Sequence, residues 1–189
     1  MCIRDRYLAV AFVIFSCKQD KSPEVKTAPA YIEEAEAAAM IGDLNETSET
    51  VEVTFQDEKI ENIYEGYLEL KAALVNTNAE DAAEVASEFS ELLTAIGGEG
   101  DSLLNLHNDI KAVAVSKDVK QQRVLFQSIS DEVEALIQPA ISDGQVIKQY
   151  CPMAFNGKGG YWLSNSREIR NPYYGDEMLK CGVVDSDIK

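Results

Sequence analysis

Basic residues are scarce in this chain. Its 189 residues hold 17 Lys and Arg against 33 Asp and Glu, a formal charge of −16 with a single His. Nucleic acid, whose phosphates need Lys and Arg, is therefore not an expected partner. The same imbalance argues against docking on anionic lipid through a basic patch. Acidity of this order favours a soluble monomer and is at most a mild pointer to cationic ligands. No apolar run is long enough to span a bilayer. GxSxG, HExxH and a glycine-rich phosphate loop before a helix are all missing. Cys151-Pro-Met153 is not CxxC, so a thioredoxin-like role lacks its second thiol. One His without a Ser or Cys base pattern does not make a nucleophilic triad. Acidic pairs such as Glu33-Glu34 read as solvated linker. The sequence gives no reason to expect an enzyme.

What is present begins with LAVAFVIFSC (8–17), a short apolar run ending in a small residue and a Cys. Its length suits a signal-peptide core rather than a transmembrane helix. Arg4 and Arg6 supply a positive flank, and IFSC (14–17) resembles a bacterial lipobox. Residues 1–16 are thus expected to be a lipoprotein signal peptide, with Cys17 as the lipidated residue. A plain signal-peptide Cys is the alternative. Two or more acyl chains anchor stably where one does not, so the expected location is the bacterial cell envelope, exported and membrane-tethered. KQDKSPEVKTAPA (18–30) is polar, with two prolines and no apolar period. The stretch that follows to residue 57 is rich in Glu and Asp. Residues 17–57 together read as an acidic, flexible tether, in which EEAEAAAM (33–40) could form a short helix and VEVTF (51–55) alternates and could form a strand or stay loose.

From residue 58 the apolar spacing becomes helical. Ile60, Ile63, Tyr64, Tyr67 and Leu74 share one side. After a cap at Thr77 or Asn78, Ala82, Val85, Ala86, Phe89, Leu92, Leu93 and Ile96 form a second stripe. GGEG (97–100) stops it. Leu103, Leu106, His107, Ile110 and Val113 make a third, opening at Asp101. Phe126, Ile129, Val133 and Leu136 make a fourth, opening at Asp118 and closing at Pro139. The expected fold is mainly α: an antiparallel bundle of about four helices over 58–185, with a small extended or β-hairpin C-terminal segment packed on it. Three helices with a packed C-terminal layer is the runner-up. Gln145–Met153 and Gly160–Leu163 read as extended, joined by FNGKGG, and Asn171-Pro172 and Gly175 bound a further turn. Trp162, Tyr161, Tyr173 and Tyr174 are expected to pin this segment to the helices. Arg123 is expected in a surface or half-buried ion pair.

The candidate chemistry lies in CPMAFNGKGGYWLSNSREIRNPYYGDEMLKC (151–181), which a Cys and a Met open and a Met and a Cys close. Cys151 and Met153, two apart in an extended segment, would share a face. Met178 and Cys181, three apart, would share a helical turn. Thiolate and thioether are soft donors that select Cu(I) over hard ions, whereas zinc makes little use of Met. The second reading is equally concrete. Exported proteins keep disulfides, and Cys151 and Cys181 are two cysteines that export processing would leave free. A bridge closing a loop of about 30 residues is worth roughly 3–4 kcal/mol in the chain-entropy model. The methionines would then be core filler. Two free thiols are the third reading. His107 reads either as a core histidine or as a fifth ligand.

YCPMA (150–154), GYWLS (160–164), EIRNPYYG (168–175) and MLKCG (178–182) resemble the C-terminal signature of domain of unknown function 3347. YLELKAALV (67–75) and QRVLFQSIS (122–130) are similar to that family's helices. The resemblance runs from about 58 to 182. It implies an exported lipoprotein, or the tail domain of periplasmic adaptors of copper/silver-type efflux pumps, although no adaptor body is present here. It also implies a part in heavy-metal handling, with Cys151, Met153, Met178, Cys181 and His107 as ligands and efflux components as partners. The expectation is a tethered binder of a soft ion, Cu(I) first. The alternative is a metal-free, disulfide-stapled helical module that docks a protein partner.

Overall fold

A computed structural model describes residues 42–97 and 101–189. Cys17 and the signal-peptide and lipidation readings lie outside the described residues, as does most of the expected tether.

The four helical stripes fold as four long helices. They are α1 (Glu58–Val75), α2 (Ala79–Ile96), α3 (Asp101–Val115) and α4 (Val119–Ile137). Three of them open on an Asx cap that satisfies an otherwise orphaned N–H. The Asp57 side chain accepts from the Lys59 N–H, Asn78 from Asp81, and Asp118 from Lys120. Of the two caps anticipated for α2, Asn78 is the one used. α2 stops at Gly97, whose φ of +62° no other residue adopts cheaply. Consecutive helices pack against each other, and α1 also packs against α4.

The apolar stripes meet in one core. Ile63, Tyr67, Leu70 and Leu74 of α1 join Ala82, Ala86 and Phe89 of α2, Leu106, Ile110 and Val113 of α3, and Phe126, Ile129, Val133 and Ile137 of α4. Tyr67 and Phe126 stack with centroids 5.0 Å apart.

After a 3-10 turn at Gln138–Ala140 the chain turns extended. Strand β1 (Val53–Phe55) pairs antiparallel with β2 (Ile141–Gly144). A second sheet holds β3 (Val146–Cys151) between β4 (Gly160–Ser164) and β5 (Val183–Ile188), antiparallel on both sides. The β3–β4 hairpin lies where the alternation put it, whereas β5 is an added strand. α4 packs against β4, and Trp162, Leu163 and Tyr173 enter the helical core. The fold is mainly helical, with a small antiparallel strand segment at its C-terminal end.

Residues 43–55, acidic enough to read as tether, lie against the body. The Leu44 N–H donates to Asn76 Oδ1 at 2.8 Å, and Val51 N–H to the Asn165 carbonyl at 2.7 Å. Among the described residues no helix is long and apolar enough to cross a membrane.

Candidate functional site: a cysteine pair held by the C-terminal arm

Strand β3 ends at Cys151, whose side chain is fully buried in the core. Cys181 lies on the arm that follows the 3-10 turn Gly175–Met178 and is half-buried. Thirty residues apart in sequence, their sulfurs approach to 3.2 Å as free thiols. Two sulfurs bound tetrahedrally to one ion at about 2.3 Å each would stand roughly 3.8 Å apart. The pair is therefore slightly closer than a shared ion requires, and a small displacement of the arm would open it. The Cys181 thiol titrates above its ordinary range, first because it hydrogen-bonds to Cys151, then through burial and the neighbouring charge. A raised thiol pKa is the opposite of what an activated nucleophile needs.

The arm is fixed by a dense set of bonds from the NPYYG segment. Asn171 Nδ2 donates to the Cys181 carbonyl at 2.6 Å, and its own N–H to the Leu179 carbonyl at 2.9 Å. The Tyr173 hydroxyl donates to the Tyr161 carbonyl. The Tyr173 ring meets Phe126, Phe155 and Trp162 edge-on. The Tyr174 hydroxyl donates to the Met153 carbonyl at 2.7 Å, and its pKa is raised by burial and by both cysteines. Gly175 turns the chain at φ +58°, and a Cβ there would meet the Thr77 hydroxyl and Arg123 Nη2.

Arg123 explains that crowding. It is buried, and it donates through Nε to the Pro172 carbonyl and through Nη2 to the Leu74 carbonyl and Thr77 Oγ1, at 2.9–3.1 Å. The expected ion pair is replaced by carbonyl acceptors, because the guanidinium lies between the end of α1 and the NPYYG turn, where backbone oxygens converge. Thr77 itself sits at φ +57°, unusual for a β-branched residue. Its hydroxyl also donates to Asp176. α1, α4 and the arm are thus locked together at one point.

The other expected site residues divide. Met178 and Cys181 share a turn, closed by the Cys181 N–H on the Met178 carbonyl at 3.0 Å. Met153 does not share a strand face with Cys151. The strand stops at Cys151, Pro152 follows, and Met153 is in helical backbone geometry with its side chain 52% exposed. His107 is on α3 and faces α2, with Nε2 3.1 Å from Ser90 Oγ and 3.2 Å from Thr94 Oγ1. Among the described residues, no three His, Cys, Asp or Glu side chains form a group able to hold a metal ion, so His107 does not join the cysteine pair.

Residues 63–143 match the model of the family described as protein of unknown function (DUF3347). This segment belongs to that family. The match covers most of α1 and all of α2 to α4, His107 included, and ends before Cys151. No curated protein and no solved structure matches the chain.

Proposed function

We propose that this DUF3347 protein is a lipid-anchored envelope domain that takes up a soft ion between Cys151 and Cys181, with Cu(I) the best chemical match. Cys17 would carry the lipid and the acidic stretch after it the link. The helices would form an up-and-down antiparallel bundle, acting as a monomer. The observation that carries the reading is the approach of two distant thiols to 3.2 Å, one buried and the other half-exposed. Met178, on the Cys181 turn, and Met153, exposed after Cys151, are the thioethers nearest in sequence and complete a soft donor set. His107, occupied by Ser90 and Thr94, drops out of it. The ion would be sequestered, or handed to heavy-metal efflux components.

Uptake must displace thiol protons, so affinity should fall as pH falls. The test is anaerobic competition against a Cu(I) chelator. One equivalent should be taken up, weakening with acidification, and both Cys151→Ser and Cys181→Ser should abolish it. Uptake unchanged in Cys151→Ser would sink this site.

The same 3.2 Å approach, with Cys151 sealed in the core, supports a second reading, a disulfide staple under a protein-docking face. The two readings separate on oxidation state. A chain isolated with no free thiols, and taking up no ion even after reduction, is a stapled module.

A further inference from the structure

The buried Cys151 sulfur can be reached only if the chain beside it moves. The chain in contact with it through Cys181 is the arm 175–182. Gly182 of this arm is wedged between Trp162 and Ile169, where an added Cβ would lie 2.8 Å from the indole and 3.3 Å from Ile169 Cγ2. The residues on either side of Ile169 are both tied to the segment 43–48. The Ser48 N–H and hydroxyl donate to Glu168 Oε1 at 2.7 and 2.5 Å. Arg170 donates through Nε and Nη2 to the Glu46 carbonyl at 3.0 and 2.7 Å, and through Nη2 to Glu168 at 3.0 Å. Asn171, next in the chain, holds the Cys181 carbonyl.

The segment is anchored at its other end on α1. Leu44 N–H and Asp43 are bonded to the Asn76 side chain, and the buried Lys71 ammonium donates to Asn45 Oδ1 at 3.0 Å. Between the segment and Leu179 and Lys180 of the arm lies an open space of about 440 Å³. Residues 168–171 thus stand between the two: Glu168 and Arg170 bond the segment, and Asn171 bonds the arm at Leu179 and Cys181.

We propose that residues 43–48 are a latch on the cysteine pair: bonded to Glu168 and Arg170 they hold the arm against Cys151, and released they let the arm swing away and open the pair. This rests on the cysteine pair being the functional site, but its readout needs no metal.

The test is the rate of iodoacetamide modification of each cysteine in the reduced full chain, mapped by mass spectrometry. Arg170→Ala removes the bonds to the Glu46 carbonyl and to Glu168. Ser48→Pro removes both Ser48 donors at an exposed position outside the core, and serves if Arg170→Ala folds poorly. Both should speed Cys151 modification about tenfold, the scale expected when a local opening loses a charge-assisted bond or two, with an unchanged melting temperature. Parent-like rates in Ser48→Pro, or acceleration only in step with lost global stability, overturn the latch. Faster modification without Cu(I) uptake would keep the latch and remove the metal reading. Cu(I) uptake with parent-like rates would do the reverse.

Discussion

Tyr67 shows how much a single side chain decides. Its hydroxyl is fully buried, shares a hydrogen bond with Ser130 at 2.9 Å and accepts from the Leu163 N–H of β4 at 2.9 Å. That bond satisfies the outward side of an edge strand, so a helix side chain replaces the missing strand partner. Tyr67→Phe keeps the stack on Phe126 but strands the Leu163 N–H. It should cost about 1–3 kcal/mol in denaturant unfolding. Glu132 of α4 gives a pH signature. Burial first, then Asp109 and Asp131, raise its pKa from the ordinary carboxylate value to about 7, and one of its oxygens has no partner. The folded state then binds the proton more tightly than the unfolded chain. Its stability contribution is complete below about pH 4.5 and is lost as pH rises through 7. In Glu132→Gln, stability measured across pH 4.5–7 should lose that downward slope, and the variant should be the more stable at neutral pH.

The helices were legible in the sequence, and the arm was not, for physical reasons. A 3.6-residue apolar period over four turns is a strong local signal, and it matches the buried positions of α1 to α4. The hairpin was legible through its alternation and its glycine-rich turn. β5 was not. VVDSDI is largely exposed, so its pairing with β3 rests on backbone bonds that leave no apolar pattern. β1 and β2 are similarly short and half-polar. For the candidate site, counting cysteines raised the Cys151–Cys181 pairing as one possibility, and tertiary packing set its geometry. The i, i+2 argument for Met153 failed because Pro152 follows the last strand residue. The role of Arg123 could not be read at all, since its acceptors are carbonyls, which every residue has. The lock it makes between α1, α4 and the arm predicts a large effect. Arg123→Ala should cost on the order of 3 kcal/mol through several lost charge-assisted bonds. It should also raise Cys181 reactivity, read by thiol labelling beside thermal unfolding.

At the scale of the whole molecule, the full sequence carries a formal charge of −16. Self-repulsion on this scale is screened by salt, with a Debye length falling from about 30 Å at 0.01 M to roughly 8 Å at physiological ionic strength. Thermal unfolding should therefore shift upward between these conditions, and a flat response would mean the acidic groups are too dispersed to matter. The same charge would repel polyanions and favour cationic ligands. The cysteine pair is where such a ligand would find soft donors. The most direct measurement is native mass spectrometry of the reduced chain before and after anaerobic Cu(I) addition, with free thiols counted alongside. Two free thiols, uptake of one Cu(I) with proton loss, and no uptake in Cys181→Ser are expected. A chain two hydrogens light that takes up no copper even after reduction would contradict the proposed uptake.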